Sequence, residues 1–86
     1  MGTHRVYLSF MHRDGWYCQF LEEDLKTPLP RKLTFQTAEK VEELIRRGGG
    51  MNDLAAKQAV EHGIEMGRGG VYLKLTGEQY GRLKRP

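Results

Sequence analysis

Three histidines, one cysteine and eleven acidic residues are the groups in this 86-residue chain that could ligate a metal or move a proton. His62 and Glu65 lie three apart, so on a helix they share one face. A metal site needs a further pair of ligands, and neither His4 nor His12 supplies one at a ligand spacing. A solvated helix face is the simpler reading. Cys18 alternates with Trp16 and Phe20, which places it on an apolar side as a small hydrophobe rather than an activated nucleophile. Glu22-Glu23-Asp24 could attract a cation, but such a triplet is more simply an acidic loop in water. Gly67-Arg68-Gly69-Gly70 has open backbone and one cation. Phosphate loops lead into a helix N-terminus, and this one leads into strand-like residues, so it reads as a turn. Gly48-Gly49-Gly50 reads as a helix stop. There is no serine elbow and no phosphate-loop spacing. The expectation is therefore a non-enzymatic protein with no metal and no cofactor.

The most informative constellation is a sheet face, which depends on strand parity. Val6, Leu8 and Phe10 alternate with Arg5, Tyr7, Ser9 and Met11. Trp16, Cys18 and Phe20 alternate with Tyr17, Gln19 and Leu21. Such alternation predicts two strands with one buried face each. A two-residue Asp14-Gly15 turn would set Phe10 opposite Gln19 and mix the two parities. A three-residue loop, Arg13-Asp14-Gly15, pairs His12 with Trp16, Phe10 with Cys18 and Leu8 with Phe20. That loop predicts Gly15 in a left-handed conformation, next to a bulge.

Glu22 to Pro30 contains two prolines and reads as a loop or a poor edge strand. Arg31 to Phe35 reads as a third strand, with Leu33 and Phe35 on the core parity. Thr37 caps a helix whose stripe is Ala38, Val41, Leu44 and Ile45. Arg46 and Arg47 suit its last turn. Asn52 caps a second helix with a stripe of Ala56, Ala59, Val60 and Ile64, and Leu54 as a further candidate. Gly63 weakens its last turn, and Gly67 ends it. Val71, Leu73 and Leu75 alternate with Tyr72 and Lys74 in a fourth strand. Thr76 and Gln79 have capping-box spacing for a short closing helix with Tyr80 and Leu83 inward.

The order β-β-β-α-α-β-α predicts one α+β domain over residues 1–86. It would have a mainly antiparallel three- or four-stranded sheet and two main helices on one face. The expected core is Val6, Leu8, Phe10, Trp16, Phe20, Leu33, Phe35, Val41, Leu44, Ile45, Val60, Ile64, Leu73 and Leu75. The uncovered parity then collects Arg5, Tyr7, Ser9, Met11, Tyr17, Gln19, Leu21, Lys32, Thr34, Tyr72 and Lys74. This set holds three tyrosines, three cations and no carboxylate. Tyrosine rings offer stacking surfaces for bases, and cations attract phosphate. Tyrosine and threonine also favour strands for their own sake, so an ordinary open sheet face has the same composition.

Composition sets the outer bounds. Hydrophobic residues make up 38% and charged residues 29% of the chain, which is too apolar for a disordered segment. No apolar run approaches membrane-helix length, and Met1-Gly2-Thr3-His4-Arg5 is polar, so a cytoplasmic protein is expected. The single cysteine allows no internal disulfide. The net charge of +3 is mild, and residues 68–86 concentrate it, the Arg82-Leu83-Lys84-Arg85 cluster above all.

Residues 5–47, three strands and then a helix, resemble the layout of the arm-type N-terminal DNA-binding domains of tyrosine recombinases. The similarity lies in Gly15-Trp16 opening a strand and Lys32 to Glu39 running into the helix. Val71 to Leu83 resembles the strand-then-helix opening of ribbon-helix-helix repressors. The first layout has no place for a second helix or fourth strand, and the second needs a further helix. No functional residue is carried over from either family.

The resulting expectation is a small binding protein leaning toward nucleic acid. Tyr7, Tyr17 and Tyr72 would stack on bases, and Arg5, Lys32 and Lys74 would meet phosphates. The alternative is a protein-interaction module. There the same face, anchored by Met11 and Leu21, would bury against a protein partner or a second copy of the chain.

Overall fold

Alternating side chains in the first twenty residues build a hairpin of β1 (His4–His12) and β2 (Trp16–Leu21) in the computed structural model. The structure describes residues 2–49 and 51–85, and at 32–34 and 49 the backbone alone. His12 pairs with Trp16, Phe10 with Cys18 and Leu8 with Phe20, the register that keeps one parity apolar. The connection is the expected three-residue loop, closed by the Arg13 amide donating to the Gly15 carbonyl at 2.8 Å. Gly15 is not left-handed, contrary to expectation, since Gly67 is the one described glycine with a positive φ. Gly15 is needed for space instead, because the ring of Phe35 covers it.

The remaining elements are β3 (Pro28–Gln36), α1 (Ala38–Gly49), α2 (Asp53–Met66), β4 (Arg68–Leu75) and α3 (Gly77–Lys84). The sheet order is β3-β2-β1-β4, and all three pairings are antiparallel. This is the expected α+β class, with a four-stranded sheet. β4 returns to lie beside β1, pairing Val6 with Leu73 and Tyr7 with Tyr72.

The helix ends form as their residues dictate. Thr37 Oγ1 accepts from the Lys40 amide at 3.2 Å, and Asn52 Oδ1 from the Ala55 amide at 2.8 Å. Thr76 and Gln79 form the reciprocal capping box. Gly67 ends α2 in the left-handed conformation, at φ 75°. Gly48 and Gly49 lie inside the last turn of α1 rather than beyond it, and Gly50 lies outside the described residues.

Helices α1 and α2 cover the Val6/Leu8/Phe10 face. Val41 and Ile45 of α1 and Ala56 and Val60 of α2 are buried with Trp16, Cys18, Phe20, Leu73 and Leu75. Leu44, Ala38, Ala59, Val71, Tyr80 and Leu83 pack around this core, half-buried.

Three core expectations need correction. Phe35 is 54% exposed. β3 carries an extra residue at this point, so Tyr17 pairs with Phe35 while Cys18 pairs with Leu33. Such a bulge turns the following side chain to the opposite face. The expected burial of the Leu33 side chain lies outside the described residues. Ile64 is 56% exposed, and Leu54 is exposed too. α2 instead turns Ala56, Val60 and Gly63 inward. A Cβ at Gly63 would meet Phe10 at 2.5 Å, so this glycine admits the Phe10 ring rather than merely weakening a turn. Finally, Leu29 is buried within a segment that reads as a loop or poor edge strand. A second register shift, between Gln19 and Leu21, extends β3 back to Pro28. Proline is tolerated there because β3 is an edge strand.

The acidic segment between β2 and β3 is a built turn. Asp24 Oδ1 accepts from the amides of Lys26 and Thr27, both at 2.9 Å, and Oδ2 from the Thr27 hydroxyl at 2.8 Å. These bonds, the Thr27 amide foremost, hold the Asp24 carboxyl below its ordinary value. Leu25 takes a left-handed φ of 61° beside it.

Candidate nucleic-acid interface

The uncovered side of the sheet is ordered in rows by the strand register. One row runs Phe35, Tyr17, Met11, Arg68 across β3, β2, β1 and β4. The next runs Lys32, Gln19, Ser9, Gly70. A third holds Leu21, Tyr7 and Tyr72, and a fourth Arg5 and Lys74. No carboxylate occupies any position of these rows. Of the expected residues, Arg5, Tyr17, Tyr72 and Lys74 are exposed, and Tyr7 is half-buried. The backbone of Lys32 stands in its expected row, but its side chain, like that of Thr34, lies outside the described residues.

Two aromatic clusters result. Tyr7 meets Tyr72 edge-on, with ring centroids 5.0 Å apart, and the Arg5 guanidinium lies 4.7 Å from the Tyr72 centroid. The Tyr7 ring also covers Gly70, where any side chain would collide with it. Tyr17 meets Phe35 at 6.1 Å, nearly perpendicular. The rows that hold the two clusters are four residues apart on β1, about 13 Å along the strand. Tyr17 and Tyr72 each remain 41% exposed, and Met11 46%, so part of each surface is available to a ligand. Beside the Tyr7 end, a cleft of about 510 Å³ opens over Gly69 and Gly70, flanked by Met11, Arg68, His62 and Met66.

Sequence reasoning misses two members of this face. Phe35 arrives through the bulge, for which the alternation gives no sign. Arg68 has a clear signal: extending the Tyr72 parity backwards through Gly70 reaches it, but the surrounding glycines read as a turn.

Of the other chemical candidates, His62 borders the cleft beside the face, and the rest lie apart from it. His62 and Glu65 are exposed on α2. Cys18 is 3% exposed, and burial pushes its thiol up to about 11. Tyr80 donates to both oxygens of Glu22, at 2.7 and 2.8 Å, and stacks on His4 at 4.1 Å. This contact ties α3 to the end of β2, and it raises the Tyr80 hydroxyl above its ordinary value. No described helix is long and apolar enough to cross a membrane.

The chain matches no family model, and comparison with curated proteins and solved structures finds no significant match either.

Proposed function

We propose that the open sheet face binds single-stranded nucleic acid. The observation that carries this reading is the pairing of two exposed aromatic clusters with Arg5, Lys74 and Arg68 on a face without carboxylates. Bases stack on tyrosine whatever their sequence, and the cations follow the phosphates. An open, four-stranded face presents its rings to splayed bases but is too broad to enter a duplex groove, so single strands are preferred. The Arg5–Tyr72 contact keeps a cation beside a stacking ring.

The test is a titration of labelled single-stranded and duplex oligonucleotides at low and moderate salt. The expected result is micromolar single-strand binding that weakens as salt rises. Binding without salt dependence, or none at tens of micromolar, overturns the proposal. The exposed apolar side chains of Met11 and Phe35 favour a second reading, burial of this face against another protein or a second copy. A mass in sedimentation that rises with concentration and falls in Phe35→Ser supports that reading.

A further inference from the structure

A second concavity lies on the opposite, helix-bearing side, at the junction of α1, α3 and the sheet. It encloses about 340 Å³ and its floor is apolar, with Leu44, Leu73 and Leu83 prominent. Arg31, Arg47 and Arg82 stand around it, and among the described residues no carboxylate lines it. At Gly48 a Cβ would meet Leu73 Cδ1 at 2.8 Å, so α1 lies close to β4 here and any side chain would have to displace that methyl.

Arg47 pairs with Glu43 at 2.9 Å, and Arg82 with Glu78 at 2.6 Å. Each pair spans one helical turn with its arginine exposed, so the guanidinium can exchange its partner for a ligand carboxylate. Arg31 has no ion-pair partner among the described residues. Glu43 also pairs with Lys40, at 3.6 Å, so the carboxylates beside the pocket do not neutralise the positive charge around it. Gln79 spends its side-chain oxygen on the Thr76 amide, which leaves its amide nitrogen as a further donor.

We infer that this pocket binds a small amphiphilic monocarboxylate, its aliphatic body on the leucines and its carboxylate among Arg31, Arg47 and Arg82. The volume suits a small molecule rather than a protein surface. The apolar floor disfavours a bare inorganic anion, and the uncompensated positive charge at the rim favours an anionic head group. Arginine recognises carboxylates through paired donors. The site is independent of the sheet face, so each proposal stands or falls alone.

The test is a methyl and amide NMR titration of the full chain with octanoate, octan-1-ol and acetate. Octanoate is expected to shift the Leu44, Leu73 and Leu83 methyls saturably, with a Kd on the order of 1 mM or tighter. Octanol and acetate should each bind about tenfold more weakly. The double variant Arg47→Gln/Arg82→Gln should weaken octanoate about tenfold while leaving octanol unchanged. Arg31→Gln, which breaks no ion pair seen here, should weaken octanoate in the same sense. Octanol binding as tightly as octanoate, octanoate binding retained by all these variants, or shifts centred on the open sheet face overturn the inference. So does the lack of any saturable shift.

Discussion

Phe35 lies across Gly15, its ring filling the space that any side chain at that position would take. The contact joins the hairpin loop to the edge strand and holds Phe35 against Tyr17. Gly15→Ala should therefore push the ring off the sheet face. A loss of about 1 kcal/mol in denaturant unfolding is expected, together with changed ring-current shifts at Tyr17. Unchanged Tyr17 shifts would show that the ring does not rest there in solution.

The two components of the proposed interface should separate in mutant titrations. Tyr7→Ala, Tyr17→Ala or Tyr72→Ala should each weaken single-strand binding by about 1–3 kcal/mol with the salt slope unchanged. Arg5→Ala or Lys74→Ala should lower the slope of log K against log salt by about 0.7 each. Equal effects on affinity and slope from both groups would count against separate stacking and phosphate roles.

Cys18 should resist a disulfide thiol reagent in the folded protein at about pH 8 and react at once in denaturant. Burial raises the thiol from 9.0 to about 11. The neutral form is the one the fold accommodates, so its stabilising contribution is complete below 9.0 and is lost as pH rises through about 11. Rapid labelling of folded protein near neutrality would contradict this.

Tyr80→Phe removes the hydroxyl that donates to Glu22. It should cost about 1 kcal/mol and increase hydrogen exchange in α3 more than elsewhere. Exchange raised evenly over the whole chain would mean that the bond does not anchor α3 in particular.

Much of this architecture is readable from residue order, and the exceptions share a cause. The β1–β2 register follows from matching two apolar parities, and the helix caps follow from Thr37, Asn52 and Thr76. Phe35 and Leu29 escape because a bulge on an edge strand changes parity without changing composition. Ile64 escapes because Gly63 shows no hydrophobicity, although the Phe10 ring selects it to face inward. The tyrosine and basic parity is visible before any coordinates, since it needs only alternation. Its extension to Arg68 requires the partner strand, as does the seating of Tyr7 over Gly70.

Acid should loosen the turn after β2 only below the range in which a free aspartate titrates. The Asp24 carboxyl lies below its ordinary 3.8 because it accepts the Thr27 and Lys26 amides. Its contribution is therefore present above 3.8 and disappears as pH falls through the lower folded value. The amide shifts of Lys26 and Thr27 should titrate together, below the range of free aspartate. A midpoint at the free-aspartate value would mean that the turn does not hold in solution.

The placing of β4 beside β1 governs when the molecule can become whole. β1 has β2 on one flank from the outset, but its other flank stays empty until residues 68–75 exist. A nascent chain on the ribosome can thus close its first hairpin early, yet carries an unsatisfied inner strand until β4 has emerged. That interval is when a chaperone, or a neighbouring copy offering a strand of its own, competes for the vacant edge.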